Sequence, residues 1–503
     1  MKENRRDFLK KTGGCALGMA SLATQMHHLG TMSALAQKVI DSQPEGGENY
    51  KALVLLYWSG GNDTNNLVVP IHDDANISNY AAYTSSRAAQ GLALPRTGAD
   101  ALLPINVPRL GNLQYGLHPS LGTITGGTNP GIKELYDQGK LAIVCNVGTL
   151  ARPLTKDQYR NAAFKKPYQL FSHSDQTNQA FTSVSSTQMF TGWGGRLSDR
   201  LTQPQNPNGL IPMVTSIAGA QLFTAGQITL PLAINDSNTP LNSVLNPVGL
   251  AGTVPTTVAR LTAFNALRTQ DLSNDYIRAA SRVTDQAMLA NSALQVSQDT
   301  TVTFPNTGIG RQLRQVARLV KKRLDLNVNR QVFYVQIGGF DTHSGQLAGQ
   351  NNLYGQFSQA MRAFYDEMTM QGVQNDVTTF TLSDFGRTMN PAGSGMNVGS
   401  DHAWGSHMFV MGGSVAGGNF YGSLRPDNLG GNYYPTLTLG GPDDTDTGTA
   451  PRGRWIPTTS VDQYAMRMAR WFGLSPADEL SVFPNYGEFT QHDQLYSQLG
   501  FLP

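Results

Sequence analysis

Three short apolar runs constrain this chain more than any other feature, because each ends in glycine or serine followed by aspartate. Lys51 to Trp58 leads into Ser59-Gly60-Gly61-Asn62-Asp63. Gln331 to Ile337 leads into Gly338-Gly339-Phe340-Asp341-Thr342-His343, and Val377 to Leu382 into Ser383-Asp384-Phe385-Gly386-Arg387. Continuous apolar runs of this length, rich in strand formers, are expected of strands buried on both faces. Such strands belong to a mostly parallel sheet covered by helices on both faces, an α/β fold. Acidic and imidazole groups just past the strand ends stand where an open α/β sheet binds its ligands.

The rest of the chain fits that rhythm in most places. Ile132 to Gln138 reads as a helix, Leu141 to Val147 as another buried strand, and Met408 to Met411 as a short one. Leu313, Val316, Ala317, Val320 and Leu324 recur at helical spacing in a helix predicted over 309–326. Leu353, Phe357, Ala360, Met361, Phe364 and Met368 form the buried stripe of a helix predicted over 353–370, and 460–472 reads as an amphipathic helix. Residues 200–308 differ. They are rich in Pro, Asn, Thr and Ser, and they read as an insertion or cap with a helical stretch over 258–295. The domain division expected is a removable leader, 1–36, and one α/β domain, 37–503, with that cap inside it.

The leader is predicted from Asn4-Arg5-Arg6-Asp7-Phe8-Leu9-Lys10, a weakly apolar stretch, and Ala34-Leu35-Ala36. This resembles a twin-arginine export signal and implies a periplasmic or secreted protein. The whole chain carries a formal charge of +2; residues 1–36 hold five basic and two acidic side chains, so the remainder is about −1. That leaves no global basic field for nucleic acid. No later segment is long and apolar enough to span a bilayer. Beyond Cys15 in the leader the only cysteine is Cys145, so no intramolecular disulfide can form.

The candidate chemistry is that of a divalent metal. Asp341 and His343, one residue apart, project to the same side of an extended segment and can ligate one ion. Asp384 follows the next strand, where a helix cap or an ion pair with Arg387 is the structural alternative. Asp401 and His402 are adjacent, with Trp404 and His407 after them. Asp63 sits in a glycine turn and can be a ligand or a cap. In Phe171-Ser172-His173-Ser174-Asp175, either serine can open a helix as nucleophile or as cap, and His173 can be a site residue. Zn, Mn, Mg and Ca are not distinguished by this set.

The order Asp63, Asp341 with His343, Asp384, His402 resembles the alkaline phosphatase superfamily, which includes sulfatases and cofactor-independent phosphoglycerate mutases. More closely, from about residue 50 onward the chain is similar to an exported bacterial family of that superfamily, domain of unknown function 1501. Trp-Ser-Gly-Gly-Asn-Asp, Gly-Gly-Phe-Asp-Thr-His, Ser-Asp-Phe-Gly-Arg and Asp-His-Ala-Trp-Gly carry the likeness. The resemblance implies an alkaline-phosphatase-like sheet and metal ligands at Asp63, Asp341, His343, Asp384 and His402. It implies a metal-activated nucleophile at Ser172 or Ser174 and an oxyanion-binding role for Arg387. One departure stands out: the superfamily has Asp-His where this chain has Asp384-Phe385. Either a second metal is lost, or His173, Asp401 or His407 supplies the missing imidazole. The activity implied is hydrolysis of small phosphate or sulfate esters. The alternatives are a non-catalytic exported protein that binds an anionic ligand or an assembly partner, and a surface carbohydrate-binding protein.

Overall fold

The computed structural model describes residues 49–123, 130–243, 250, 253–295, 299–427 and 432–503. The expected leader, with Cys15 and the Ala34-Leu35-Ala36 site, lies outside the described residues.

The strands are β1 (Lys51–Trp58), β2 (Val68–Pro70), β3 (Leu103–Val107), β4 (Leu113–Leu117), β5 (Leu141–Gly148), β6 (Val214–Ser216), β7 (Leu232–Ala233), β8 (Arg330–Ile337), β9 (Val377–Ser383), β10 (Ser406–Met411), β11 (Asn419–Ser423), β12 (Thr459–Ser460) and β13 (Ser497–Gln498). Ten of them form one sheet in the order β13-β11-β5-β10-β9-β1-β8-β6-β7, with β12 beside β5. The β1–β8, β1–β9, β6–β8, β6–β7 and β5–β11 pairings are parallel, while β10 runs antiparallel to both β5 and β9. The expected mostly parallel α/β sheet is therefore present. β2, β4 and β3 make a separate antiparallel sheet.

Burial explains the continuous apolar runs. Every residue of β1 except Lys51, and every residue of β9 and β10, is buried, so both faces of the central strands are covered. The longer helices are α1 (Tyr80–Arg87), α2 (His173–Thr182), α3 (Trp193–Gln205), α4 (Pro255–Arg268), α5 (Asp275–Leu294), α6 (Gly308–Lys321), α7 (Gln346–Met370) and α8 (Val461–Phe472). Helix α6 packs on β8, and α8 packs on β1 and β5.

Several boundaries differ from expectation for identifiable reasons. Helix α6 ends at Lys321, so Leu324, expected in its buried stripe, is 57% exposed, and Leu326 takes the buried position. Helix α7 begins at Gln346 because Gly345, in a left-handed conformation, lets the chain turn into it seven residues before Leu353. The single helical stretch expected over 258–295 is two helices, α4 and α5, parted at Thr269–Asn274. Within 200–308, β6 and β7 extend the edge of the main sheet.

Register delivers the candidate residues to one place. Trp58 aligns with Ile337 on one side and Ser383 on the other, so β1, β8 and β9 end level. Antiparallel β10 starts at that same edge, with Ser406 opposite Val147 near the end of β5. The segments after Trp58, Ile337 and Ser383, and the segment before Ser406, thus meet at the carboxyl edge of the sheet.

Candidate metal centre

Three imidazoles and one carboxylate converge at that edge. His173 Nε2 lies 3.0 Å from His402 Nε2, and His343 Nε2 lies 3.1 Å from the same atom. Asp341 Oδ1 is 3.0 Å from His343 Nε2 and 3.5 Å from both His173 Nε2 and His402 Nε2. His173, Asp341 and His402 have the spacing of a metal-binding group.

Each ring is held from behind through its other nitrogen. His173 Nδ1 is 2.7 Å from Asp384 Oδ2, His343 Nδ1 is 3.2 Å from Asp401 Oδ1, and His402 Nδ1 is 2.8 Å from the Phe171 carbonyl. Carboxylate and carbonyl oxygens only accept, which assigns the proton to Nδ1 in all three rings and the lone pair to Nε2. The Nε2 lone pairs of His173 and His402 then stand with Asp341 Oδ1 in one group of ion-binding spacing, with His343 Nε2 beside His402, and a cation there or a proton on one ring is required to relieve the repulsion. Two nitrogens bound tetrahedrally to one zinc ion stand roughly 3.3 Å apart, close to the separations here.

The supports are themselves fixed. Asp384 accepts from Tyr57 Oη at 2.8 Å and from the Gly60 amide at 3.1 Å. Asp401 is gripped by Arg452 Nη2 at 2.6 Å, and Arg454 donates to the His402 carbonyl at 3.1 Å. The Phe171 carbonyl reaches His402 because Gln169 and Phe171 both adopt positive φ, 46° and 69°, just before α2. Phe385 is buried against the His173 and His402 rings, with centroids 4.7 and 4.8 Å away. A Cβ at Gly61 would come within 2.4 Å of the Phe385 ring and one at Gly60 within 2.6 Å of the Asp341 amide. The glycine turn after β1 thus serves close packing around the cluster.

The electrostatics separate the groups. The Asp384 hydrogen bond holds His173 above the usual imidazole value, against its partial burial. Burial pushes His402 below that value, with the His173 and Arg387 charges adding to the effect. For Asp341 burial acts upward, but the hydrogen bond and charge of Arg387 outweigh it and keep the carboxyl below its usual range. Burial of Asp401 is likewise outweighed, by Arg452 and His343.

The remaining expected site residues stand elsewhere. Asp63 is buried in a bidentate pair with Arg87, at 2.7 and 2.9 Å, and is bonded further by Asn65 and Gln346, so its oxygens are already occupied. Arg387 is 1% exposed. It donates to the Gly61, Ser400 and Gly60 carbonyls at 2.9, 2.7 and 2.6 Å and to the Asp341 carboxylate. The Arg387 ion pair is thus with Asp341 and not with Asp384, which makes it a positioning residue behind Asp341. His407 is buried, stacked on Tyr434, and accepts from the Asn146 amide; burial lowers its pKa to about 3. Among the imidazoles weighed against Phe385, His173 is therefore the one in the cluster. Ser172 precedes α2 and donates to Asp175 Oδ2 at 2.6 Å, whereas Ser174 is exposed and 3.5 Å from the same oxygen. Sequence reasoning missed Tyr57, Arg452, Arg454 and the Phe171 carbonyl. Tyr57, Arg452 and Arg454 lie in no motif, Phe171 opens the Ser172-His173 stretch but acts through its backbone, and only the fold brings them to the cluster.

A family model, Protein of unknown function (DUF1501), matches residues 50–436. The chain belongs to that family. No curated protein matches it. Among solved structures, this chain is remotely similar to Ps i-CgsB in complex with k-i-k-neocarrahexaose, at TM-score 0.31 and 7% identity, over 90% of this chain and 75% of that one. A second is the PsFucS1 sulfatase from Pseudoalteromonas sp., at TM-score 0.27 and 10% identity, over 78% of this chain and 68% of that one. Likenesses this remote carry no argument about activity. No helix among the described residues is long and apolar enough to cross a membrane.

Proposed function

We propose that this DUF1501 protein is an exported hydrolase of phosphate or sulfate esters, with the alkaline-phosphatase type of fold, that binds one divalent metal ion through His173, His343, His402 and Asp341. The observation that carries the reading is the grouping of His173, His402 and Asp341 at ion-binding spacing, with His343 Nε2 3.1 Å from His402 Nε2 and every ring tied to an acceptor through Nδ1. Three imidazoles and one carboxylate suit zinc or a similar transition ion better than Mg or Ca, which prefer all-oxygen sites. Asp384, Asp401 and Phe171 orient the ligands, and Arg387 and Arg452 orient the carboxylates.

When bound, the ion would offset anionic charge on the ester and lower the pKa of a nearby hydroxyl. The chain supplies Ser172 as nucleophile and Asp175 Oδ2 as the atom that takes its proton, 2.6 Å away. The Arg5-Arg6 leader supports export before use.

Metal content of the purified mature protein, and turnover of a panel of phosphate and sulfate esters, test the reading. About one ion per chain is expected, with turnover lost in Asp341→Ala and Ser172→Ala. Metal-free protein that cannot be loaded with zinc would sink it. The rival, a binding protein without turnover, is favoured by Asp63: its closure by Arg87 leaves no second cluster of superfamily type there. One ion per chain with no turnover of any ester would select that rival.

A further inference from the structure

Residues 151–172, between β5 and α2, carry an unusual charge for this chain. Arg152, Lys156, Arg160, Lys165 and Lys166 stand there against a single acid, Asp157. Lys156 turns inward and donates to the Gly440, Gly441 and Asp446 carbonyls at 2.8, 3.0 and 2.8 Å, which fastens the segment to the body. The other four cations have no carboxylate partner among the described residues.

Two ring contacts gather those four into one patch. The Arg152 guanidinium lies 5.4 Å from the Phe164 ring centre, which sets residue 152 beside 164 and 165. The Lys166 ammonium lies 5.4 Å from the Tyr159 ring, which sets residue 166 beside 159 and 160. A cation over an aromatic face is oriented without being neutralised. The patch also abuts the metal centre. Tyr159 packs on Trp404, two residues past His402, with centroids 5.7 Å apart. At the other end of the segment Phe171 accepts from His402 and lies under Arg454.

A small monoester presents one anionic group, and the cluster suffices for it. Four unpaired cations on one fastened segment instead match several oxyanions in a row. We propose that the 151–172 segment is an exosite for an extended polyanion, a polymer with repeated sulfate- or phosphate-type groups, and that it delivers that polymer to the neighbouring cluster. The delivery clause rests on the hydrolase reading above; the binding itself does not.

Binding of the mature protein to dextran sulfate, to linear polyphosphate and to neutral dextran tests it, with and without a chelator. Dextran sulfate or polyphosphate should bind and neutral dextran should not, and the preferred polyanion tells sulfate from phosphate. Affinity should fall steeply with salt. The Arg152→Gln/Arg160→Gln/Lys165→Gln/Lys166→Gln variant should bind at least tenfold more weakly, with a flatter salt dependence. Arg260→Gln, on α4, should match the parent. Affinity unchanged in the fourfold variant would overturn the proposal, as would polyanion binding abolished by the chelator, which would assign the polymer to the metal itself. Folding of the fourfold variant is read by circular dichroism, and single Arg160→Gln and Lys165→Gln variants, each expected to lose two- to fivefold, stand in if it fails to fold. Absence of ester turnover bears on the hydrolase reading alone.

Discussion

Asp63 and Asp341 follow neighbouring strands through almost the same words, Gly-Gly-Asn-Asp and Gly-Gly-Phe-Asp, yet they come to opposite ends. Asp63 is 1% exposed and closed off by Arg87, while the Asp341 side chain is 48% exposed and faces three imidazoles. Both carboxylates meet an arginine. The difference is what else arrives. Around Asp63, Asn65 and Gln346 complete the acceptor capacity, and the result is a sealed buried pair. At Asp341, Arg387 shares Oδ1 with the three imidazoles, and the side chain stays open to solvent. A glycine-aspartate turn after a strand therefore marks a place at the sheet edge; the partners supplied by other segments decide whether it becomes structure or site.

The largest effect is expected from breaking the sealed side. Arg87→Met removes the cation paired with Asp63 and strands a buried carboxylate, a change that costs on the order of 3–5 kcal/mol. Asp341→Asn leaves Arg387 its three carbonyl acceptors and an amide oxygen at a half-exposed position, so it should cost less stability than Arg87→Met while weakening metal binding. Denaturant midpoints of the two variants, taken beside their metal content, read both. A mild Arg87→Met with a severely unfolded Asp341→Asn would invert the comparison.

Asp462 sharpens the comparison as a third carboxylate with neither outcome. It sits fully buried in the first turn of α8, and desolvation raises its pKa to about 7, with Ser183, Asn485, its own amide and Arg196 pulling the other way. A group whose folded pKa exceeds its unfolded value of 3.8 adds stability that is complete below that unfolded value. That stability is lost as pH rises through the window up to about 7. Asp462→Asn should flatten the stability profile across the window and be the more stable protein at pH 8, by at most about 4 kcal/mol. Chemical denaturation at pH 4, 6 and 8 checks it, and an unchanged slope would mean that Asp462 is charged in the fold.

Asp384→Asn tests the open side through a group that touches no bound ion. It keeps the shape but weakens the acceptor that holds His173 Nδ1, and metal affinity should fall about 10–100-fold by competition with a chromogenic chelator. The legibility of the chain divides along the same line. Strands β1, β5, β8 and β9 were readable because their apolar runs are local and continuous, and strand order then put Asp341, His343, Asp384 and His402 at one edge. The partners were not. Arg87 lies on a surface-like helix 24 positions from Asp63, and nothing in its neighbourhood reports that it will be buried. His173 could be named as a candidate site residue of its stretch and as one replacement of three for the residue missing at Phe385, but not placed, because the positive-φ turn that aims α2 at the cluster leaves no mark in composition. Arg387 was expected as an oxyanion binder or a partner of Asp384, but it is buried on Asp341 and on carbonyls at Gly60, Gly61 and Ser400, partners that come from turn geometry alone.

The smallest effect is expected at Phe385, and it decides what holds the imidazoles. If hydrogen bonds from behind set the rings, Phe385→Leu should matter little. It keeps an apolar group of similar size beside Gly61, costs under about 1.5 kcal/mol of stability, and lowers metal affinity less than threefold. If instead the aromatic wall sets them, the two contacts at 4.7 and 4.8 Å would be lost and both His173 and His402 could rotate. Metal affinity would then fall further than in Asp384→Asn. Titrating both variants with zinc under the same conditions separates the two accounts. A larger loss at Phe385 than at Asp384 would mean that the open region, like the sealed one around Asp63, is organised by packing before it is organised by charge.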